Sequence, residues 1–296
     1  MSTRSALNVM PSEADPLDPA GGEGPVAGPG VSFLDCGVHI GRRSGAQWTA
    51  NRLLTAAGLL AELDRVGIDA AVVHHTLARE YSPRIGNELL ADELPGDDRL
   101  LPAWLLLPHH TGEFPRPEEV VARMREAGVV MGRLHPSTDA AAHRFLLAEW
   151  VVGPLLDELE RSGIPVALDF HLFRRAEPPW AVLHEVLRHH PGLKVILMEV
   201  QGRNNRTLYP LLERHDNLYV QSAGFNVHRG IEDFVARFGA ERMVFGSGYP
   251  ERSMGAARFH LETADISAAD KQRIAAGNLR ALLPRANDVA EVAHHA

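Results

Sequence analysis

Histidine recurs at the ends of five predicted strands. "VSFLDCGVHIG" carries His39, "DAAVVHH" carries His74 and His75, and "AWLLLPHH" carries His109 and His110. "VVMGRLHP" carries His135, and "IPVALDFH" carries His171. Imidazole binds metals and moves protons near neutral pH, so strand ends brought to one place would make a site for enzyme chemistry. Carboxylates and guanidinium groups accompany these histidines. Asp169 stands two residues before His171, and Glu199 follows "VILM". Period-two alternation puts Asp169 and His171 on the same strand face. Arg133, Arg174, Arg175, Arg203 and Arg206 lie near strand C-termini. A guanidinium grips a carboxylate through a bidentate fork, so a small acidic molecule is the expected ligand.

Each residue also has a plainer reading. His39 is then a core histidine bonded to backbone, and His135 shapes the turn before Pro136. Asp169 is then a carboxylate that orients His171. Alternation sends only one of His74 and His75, and one of His109 and His110, toward a common axis. His189 and His190 sit at a helix end before Pro191 and Gly192, where the dipole favours cations, and are read as structural. Asp35 anchors a turn, and the loop arginines are ordinary solvated charge. Trp48, Trp180 and Phe225 form either an aromatic wall or outer packing.

The elements that carry these residues alternate regularly. Predicted strands near 32–36, 68–74, 101–107, 129–134, 164–170 and 193–198 are followed by "NLYVQSAG" and "RMVFGSG". Helical segments separate them, such as "RLLTAAGLLAELDRVG" with a stop at Gly67 and "PEEVVARMREAG" with Pro117 near its start. The segment "EWVVGPLLDELERSG" reads as a helix broken or begun at Pro154. Eight β-α units specify a parallel sheet, and closure into a (β/α)8 TIM barrel is the favoured arrangement over an open doubly wound sheet. In such a barrel all strand C-termini open on the face that holds the site. No Gly-rich dinucleotide fingerprint follows any strand.

Length and composition agree. A chain of 296 residues holds one barrel, expected over 31–284, with an arm over 1–30 and a tail over 285–296. The arm is rich in Pro, Gly and acids and is expected to be disordered. A hydrophobic content of 45% fills a large core, and the net charge of −8 with no basic run argues against nucleic acid and anionic membrane as partners. The single Cys36 and the lack of a secretory or membrane-spanning pattern make the cytoplasm the expected location. A homo-oligomer is compatible with the sequence.

Taken in order, "FLDCGVHIG", "NELLADEL…DDRLLPAWLLLP", "GRLHP", "HPGLKVILMEVQG", "NLYVQSAG", "MVFGSGYP" and "IAAGNLRALL" resemble the amidohydrolase-related family of metal-dependent hydrolases and decarboxylases across roughly 33–284. The resemblance implies a barrel of the amidohydrolase type and a metal held at the strand ends. The departures are as informative. The family's Asp-x-His-x-His becomes Asp35-Cys36-Gly37-Val38-His39, so Gly37 replaces one ligand. The family's Gly-Ser-Asp-Tyr-Pro becomes Gly246-Ser247-Gly248-Tyr249-Pro250, so the aspartate that serves as ligand and general base is absent.

The possible ligands for one divalent ion, zinc or manganese, are His39, Asp169, His171 and Glu199, with His39, His171 and Glu199 the favoured set. Catalytic roles fall to His171, His135 and Asp169, and substrate contacts to Arg133, Arg174, Arg203 and Tyr249. Glu251 stands three residues beyond Gly248 as a substitute carboxylate. The expected function is hydrolysis of a lactone, amide or ester, or decarboxylation of an aromatic or unsaturated acid, with a metal-free version as a variant. A catalytically inactive barrel that binds or scaffolds is the competing expectation.

Overall fold

The computed structural model describes residues 30–42, 54–94, 96–136, 143–169 and 180–284. The expected arm and tail, and with them His171, Arg174, Arg175 and Trp48, lie outside the described residues except for Gly30. Eight strands form one parallel sheet in sequence order. They are β1 (Leu34–Ile40), β2 (Ala70–His75), β3 (Leu100–Leu105), β4 (Met131–Leu134), β5 (Val166–Asp169), β6 (Val195–Met198), β7 (Leu218–Gln221) and β8 (Met243–Val244). The sheet curls into a nearly closed barrel, and Cys36 N–H donates to the Phe245 carbonyl (3.0 Å) across the seam between its first and last strands.

The helices alternate with the strands. They are α1 (Ala56–Val66), α2 (Thr76–Glu80), α3 (Pro83–Glu93), α4 (Pro117–Glu126), α5 (Glu149–Ser162) and α6 (Trp180–His189). After them come α7 (Asn205–Arg214), α8 (Gly230–Phe238), α9 (Met254–Thr263), α10 (Ala268–Gln272) and α11 (Asn278–Leu282). Helix α1 begins at Thr55, whose hydroxyl accepts from Gly58 N–H (3.1 Å), and stops at Gly67 in the left-handed conformation (φ 73°) that a residue lacking Cβ adopts without strain. Between α10 and α11 the chain widens into a π turn at Arg273–Gly277. This frees the Ile274 carbonyl to accept from Phe245 N–H (2.9 Å), so the last helical segment is stitched to the end of β8.

One expectation about the helices is corrected. Pro154 neither breaks nor begins α5, which starts five residues earlier at Glu149 and runs through it. The proline forfeits one backbone bond, but Val152, Leu155, Leu156 and Leu159 of the same helix are buried in the outer core. That burial offsets a loss of about 3 kcal/mol.

The apolar residues sort into two layers. Phe33, Leu59, Leu63, Val73, Leu159 and Phe234 belong to the large layer between sheet and helices. Cys36, Val72, Ala103, Met131, Ala167, Ile196 and Val244 form a second cluster, one residue from nearly every strand, which plugs the lumen. Alternation then sends the next inward position of β2, β4, β5, β6 and β7 to the C-terminal end. Those positions are His74, Arg133, Asp169, Met198, which still packs on the plug, and Gln221. Strand β1 departs from simple alternation. Its pairing with β2 slips by one residue between Asp35 and Val38. The bulge flips the parity, so that Cys36 joins the lumen plug while Val38 packs outside and His39 faces in.

Candidate active site

The centre of the C-terminal face is an arginine. Arg133 is buried, and its Nη2 donates to both oxygens of Asp169 on the neighbouring strand (2.7 and 2.9 Å). Nη1 lies 2.9 Å from Nδ1 of His74. A guanidinium only donates, so the His74 Nδ1 must accept, and the imidazole is neutral. Burial pushes the His74 pKa well below its ordinary value, and the Arg133 charge pushes the same way. Burial would raise the Asp169 pKa, but the charge and hydrogen bonds of Arg133 outweigh it and hold the carboxyl at about 2. Burial lowers His135 to about 3, so it too is neutral at physiological pH. Arg133 Nε, a donor, and His135 Nε2 are buried with no partner among the described residues.

A second pair lies at the same end. His39 Nε2 is 3.1 Å from Oε1 of Glu251, which belongs to the segment after β8. Its ring is 5.6 Å from that of His74, centroid to centroid, and the two strands pair at these residues. Glu251 thus reaches back to the barrel from three residues past Gly248 and brings a carboxylate to His39. Asp35 has the anchoring role: it is fully buried and accepts from Gly37 N–H (3.0 Å) and Ser247 N–H (3.1 Å), tying the β1 bulge to the segment after β8. Burial raises its pKa.

The other sequence candidates take different places. Strand β6 ends at Met198, and half-buried Glu199 follows in the left-handed conformation (φ 55°), its N–H held by Gln221 Oε1 (2.9 Å). Such a backbone costs a non-glycine residue about 1–3 kcal/mol. Arg203 is exposed on a 3-10 turn after β6. Tyr249 is half-buried against the outer core, with its N–H on Ser247 Oγ (3.1 Å). His75 points away from His74 and caps α2 by accepting from Leu77 N–H (3.1 Å). Its role as a cap explains a helix absent from the sequence reading. His109 and His110 stack on each other in an outer turn. Phe225 is core, edge-on to Phe234, and Trp180 packs half-buried on the same layer. A cavity of about 450 Å³ opens between the segments after β3 and β4, lined by Pro108, His110, His143, Phe145 and Trp150 among others.

The described residues do not offer a divalent ion the cradle that the family resemblance implies. Where a ligand histidine would stand, a Cβ at Gly37 would lie 2.5 Å from the Met198 methyl and 3.1 Å from Arg133 Nη1. Both Asp169 oxygens are committed to Arg133, and the guanidinium charge repels a second cation. Among the described residues, the only group of three His, Cys, Asp or Glu ligand atoms lying within 4.8 Å of one another is Asp157, Glu160 and His190, outside the barrel. His171 lies outside the described residues, so its expected roles as ligand and catalytic group remain expectations.

Known structures share the barrel. An uncharacterised TIM-barrel protein from Bordetella bronchiseptica superposes with a TM-score of 0.62 at 19% identity, over 85% of this chain and 98% of that one. The 5-carboxyvanillate decarboxylase of Novosphingobium aromaticivorans, complexed with manganese and 4-hydroxy-3-methoxy-5-nitrobenzoic acid, gives 0.67 at 15% identity over 86% and 96%. A probable 2-pyrone-4,6-dicarboxylic acid hydrolase from Acinetobacter baumannii, with citric acid bound, gives 0.61 at 14% over 85% and 98%. No curated protein matches the sequence. At these identities the structures establish a shared barrel, and the family itself rests on the sequence. The amidohydrolase family model matches residues 40–285, and the chain belongs to that family as an amidohydrolase-type enzyme.

Proposed function

We propose that the barrel hydrolyses a small carboxylate-bearing lactone or ester without a metal in its lumen. The observation that carries this reading is the His39–Glu251 pair, which returns to the site a carboxylate that Gly248 lacks. In the proposed step the pair takes a proton from water as the oxygen attacks the substrate carbonyl. Arg133 Nε–H, a buried donor with no acceptor among the described residues, would receive the charge that develops on the carbonyl oxygen. Collapse of the tetrahedral intermediate breaks the C–O bond, and the proton held by the pair passes to the departing oxygen. His135 Nε2 is a second unpartnered group for a substrate oxygen. Arg203 and, outside the described residues, Arg174 are proposed to attract the substrate carboxylate at the rim, with Tyr249 beside the entrance.

The plugged lumen and the polar layer above it support a small substrate, and the citrate-bound and nitrobenzoate-bound neighbours bind small carboxylates on the same fold. Among the described residues no helix is long and apolar enough to cross a membrane; the cytoplasm, where Cys36 would stay reduced, is the proposed location.

The test is a screen of purified full-length protein against carboxylated lactones and esters and against aromatic acids. Glu251→Gln is the informative variant. It should lower kcat by roughly 10²–10⁴-fold, with a smaller change in KM. Release of CO₂ from aromatic acids that does not depend on Glu251 would replace hydrolysis with decarboxylation. Binding of the same compounds without turnover would identify an inactive binding barrel.

A further inference from the structure

We infer that the outer face of the barrel holds a divalent-cation site built from His190, Asp157 and Glu160, independent of the chemistry proposed for the lumen. The residues come from the two helices that flank β5. Glu149, Asp157 and Glu160 fall on one stripe of α5, since steps of eight and three keep side chains on one helical face. Gly153 lies in the same stripe, where a Cβ would collide with the Glu149 carboxylate. His190 follows the end of α6. Its ring is buried, with 2% of the side chain exposed, and turned toward all three carboxylates.

The two ring nitrogens have different surroundings. Nε2 is 3.0 Å from Glu149 Oε2, a hydrogen bond in which the ring donates. That contact fixes the tautomer and directs the Nδ1 lone pair at Asp157 Oδ1 (3.4 Å) and Glu160 Oε2 (3.5 Å). Nδ1 is buried and makes no hydrogen bond. A lone pair aimed between two carboxylates is repulsive unless a positive charge stands among them. A carboxylate behind a histidine whose other nitrogen faces further ligands is the arrangement by which proteins orient metal-binding imidazoles.

The distances fit as well. A tetrahedral ion with bonds of about 2.1 Å needs ligand atoms about 3.4 Å apart, close to the two separations measured from Nδ1. The remaining edge, between the carboxylates, can be closed by the exposed Asp157 side chain. One nitrogen and two oxygens, with a fourth position left for water, suit a first-row divalent ion such as zinc. Among the described residues no Lys or Arg forms an ion pair with Glu149, Asp157 or Glu160, so these residues supply no competing cation. Glu160 is held in place by Gly192 N–H, which donates to its Oε1 (2.5 Å). The bound ion would clamp α5 to the end of α6 and so brace the two helices around β5, the strand that carries Asp169.

The test uses the full chain, stripped with chelator and titrated with zinc chloride by calorimetry, with melting temperature followed in parallel. We expect one zinc per chain and a rise in melting temperature with zinc concentration. Asp157→Asn with Glu160→Gln should weaken zinc at least tenfold and abolish the thermal shift. Both side chains reach solvent, so the double variant should fold. Glu149→Ala should weaken zinc about 10- to 100-fold by releasing the imidazole. No zinc binding by the wild type would overturn the inference. Undiminished binding by the double variant would also overturn it, and would place any zinc elsewhere.

Discussion

The barrel centre and the outer corner between α5 and α6 both set buried histidine beside carboxylate, yet they differ in the source of positive charge. At the centre the chain supplies its own cation: Arg133 satisfies Asp169 through two hydrogen bonds and leans on His74. At the corner His190 faces Glu149, Asp157 and Glu160 with no described arginine or lysine paired to them. A guanidinium is a permanent charge, so among the described residues the centre already carries its own cation. At the corner no described guanidinium or ammonium stands among the carboxylates, which is why a cation site is proposed there. The same residue types can thus close a site to metal or open one, depending on whether a fixed charge already sits among them.

The strongest way to break the comparison is to remove the central charge. Arg133→Met leaves Asp169 buried without its partner and should cost about 3–5 kcal/mol in urea unfolding. Adding Asp169→Asn should recover part of it. A cost under about 1 kcal/mol would mean that the central cation is not what the fold relies on.

Acid should sharpen it. An unfolded imidazole gains its proton near pH 6.5, whereas folded His135 resists until about 3. The unfolded chain then binds the extra proton, and stability should fall as pH drops from about 6.5 to about 3, by up to about 1.4 kcal/mol per unit. Asp169, held at about 2, adds a further loss between about pH 4 and 2, because its unfolded carboxyl protonates first. His135→Gln should flatten the upper part of this slope, and an unchanged profile would contradict a buried neutral His135.

A smaller effect is expected at Gly248. Its φ of 71° disfavours a side chain, and a Cβ would meet Arg252 Cδ at 3.2 Å. Gly248→Asp should cost about 1–2 kcal/mol and, with Arg133 in place, create no zinc site in the lumen. Calorimetry that found a new lumen ion would erase the contrast with the corner. The smallest effect belongs to the N-terminus: deleting residues 1–30 should leave the melting temperature within about a degree, as their composition offers no core. A larger drop would show that the arm contributes to the fold.

Much of the frame was legible because strand and helix periods survive in sequence. Each predicted strand overlaps an observed one, and Gly67 and Pro117 mark helix ends as their backbone preferences require. The alternation argument required one of His74 and His75 to leave the axis without choosing between them, and His75 caps α2 instead. The β1 bulge was hidden, since one extra residue leaves no compositional mark. So was the pairing of Arg133 with Asp169: both residues were candidates, but a bond between positions 36 apart depends on strand adjacency and register. Reading His190 only as a helix-end cation missed Glu149, Asp157 and Glu160, whose spacing along α5 was visible as a helical stripe. Their meeting with His190 required two helices to pack.

The seam of the barrel has a consequence for how the protein is made. Phe245 gives its carbonyl to Cys36 at one edge and its N–H to Ile274 in the π turn at the other. A ribosome makes β1 before the other strands and the Ile274 segment after all of them, so for most of synthesis the nascent sheet has an unpaired margin at each side, the kind of edge that invites pairing with other chains. A chain halted before residue 274 would lack its latch. Such a truncated product should be held by chaperones or lost to aggregation, even though it contains all eight strands.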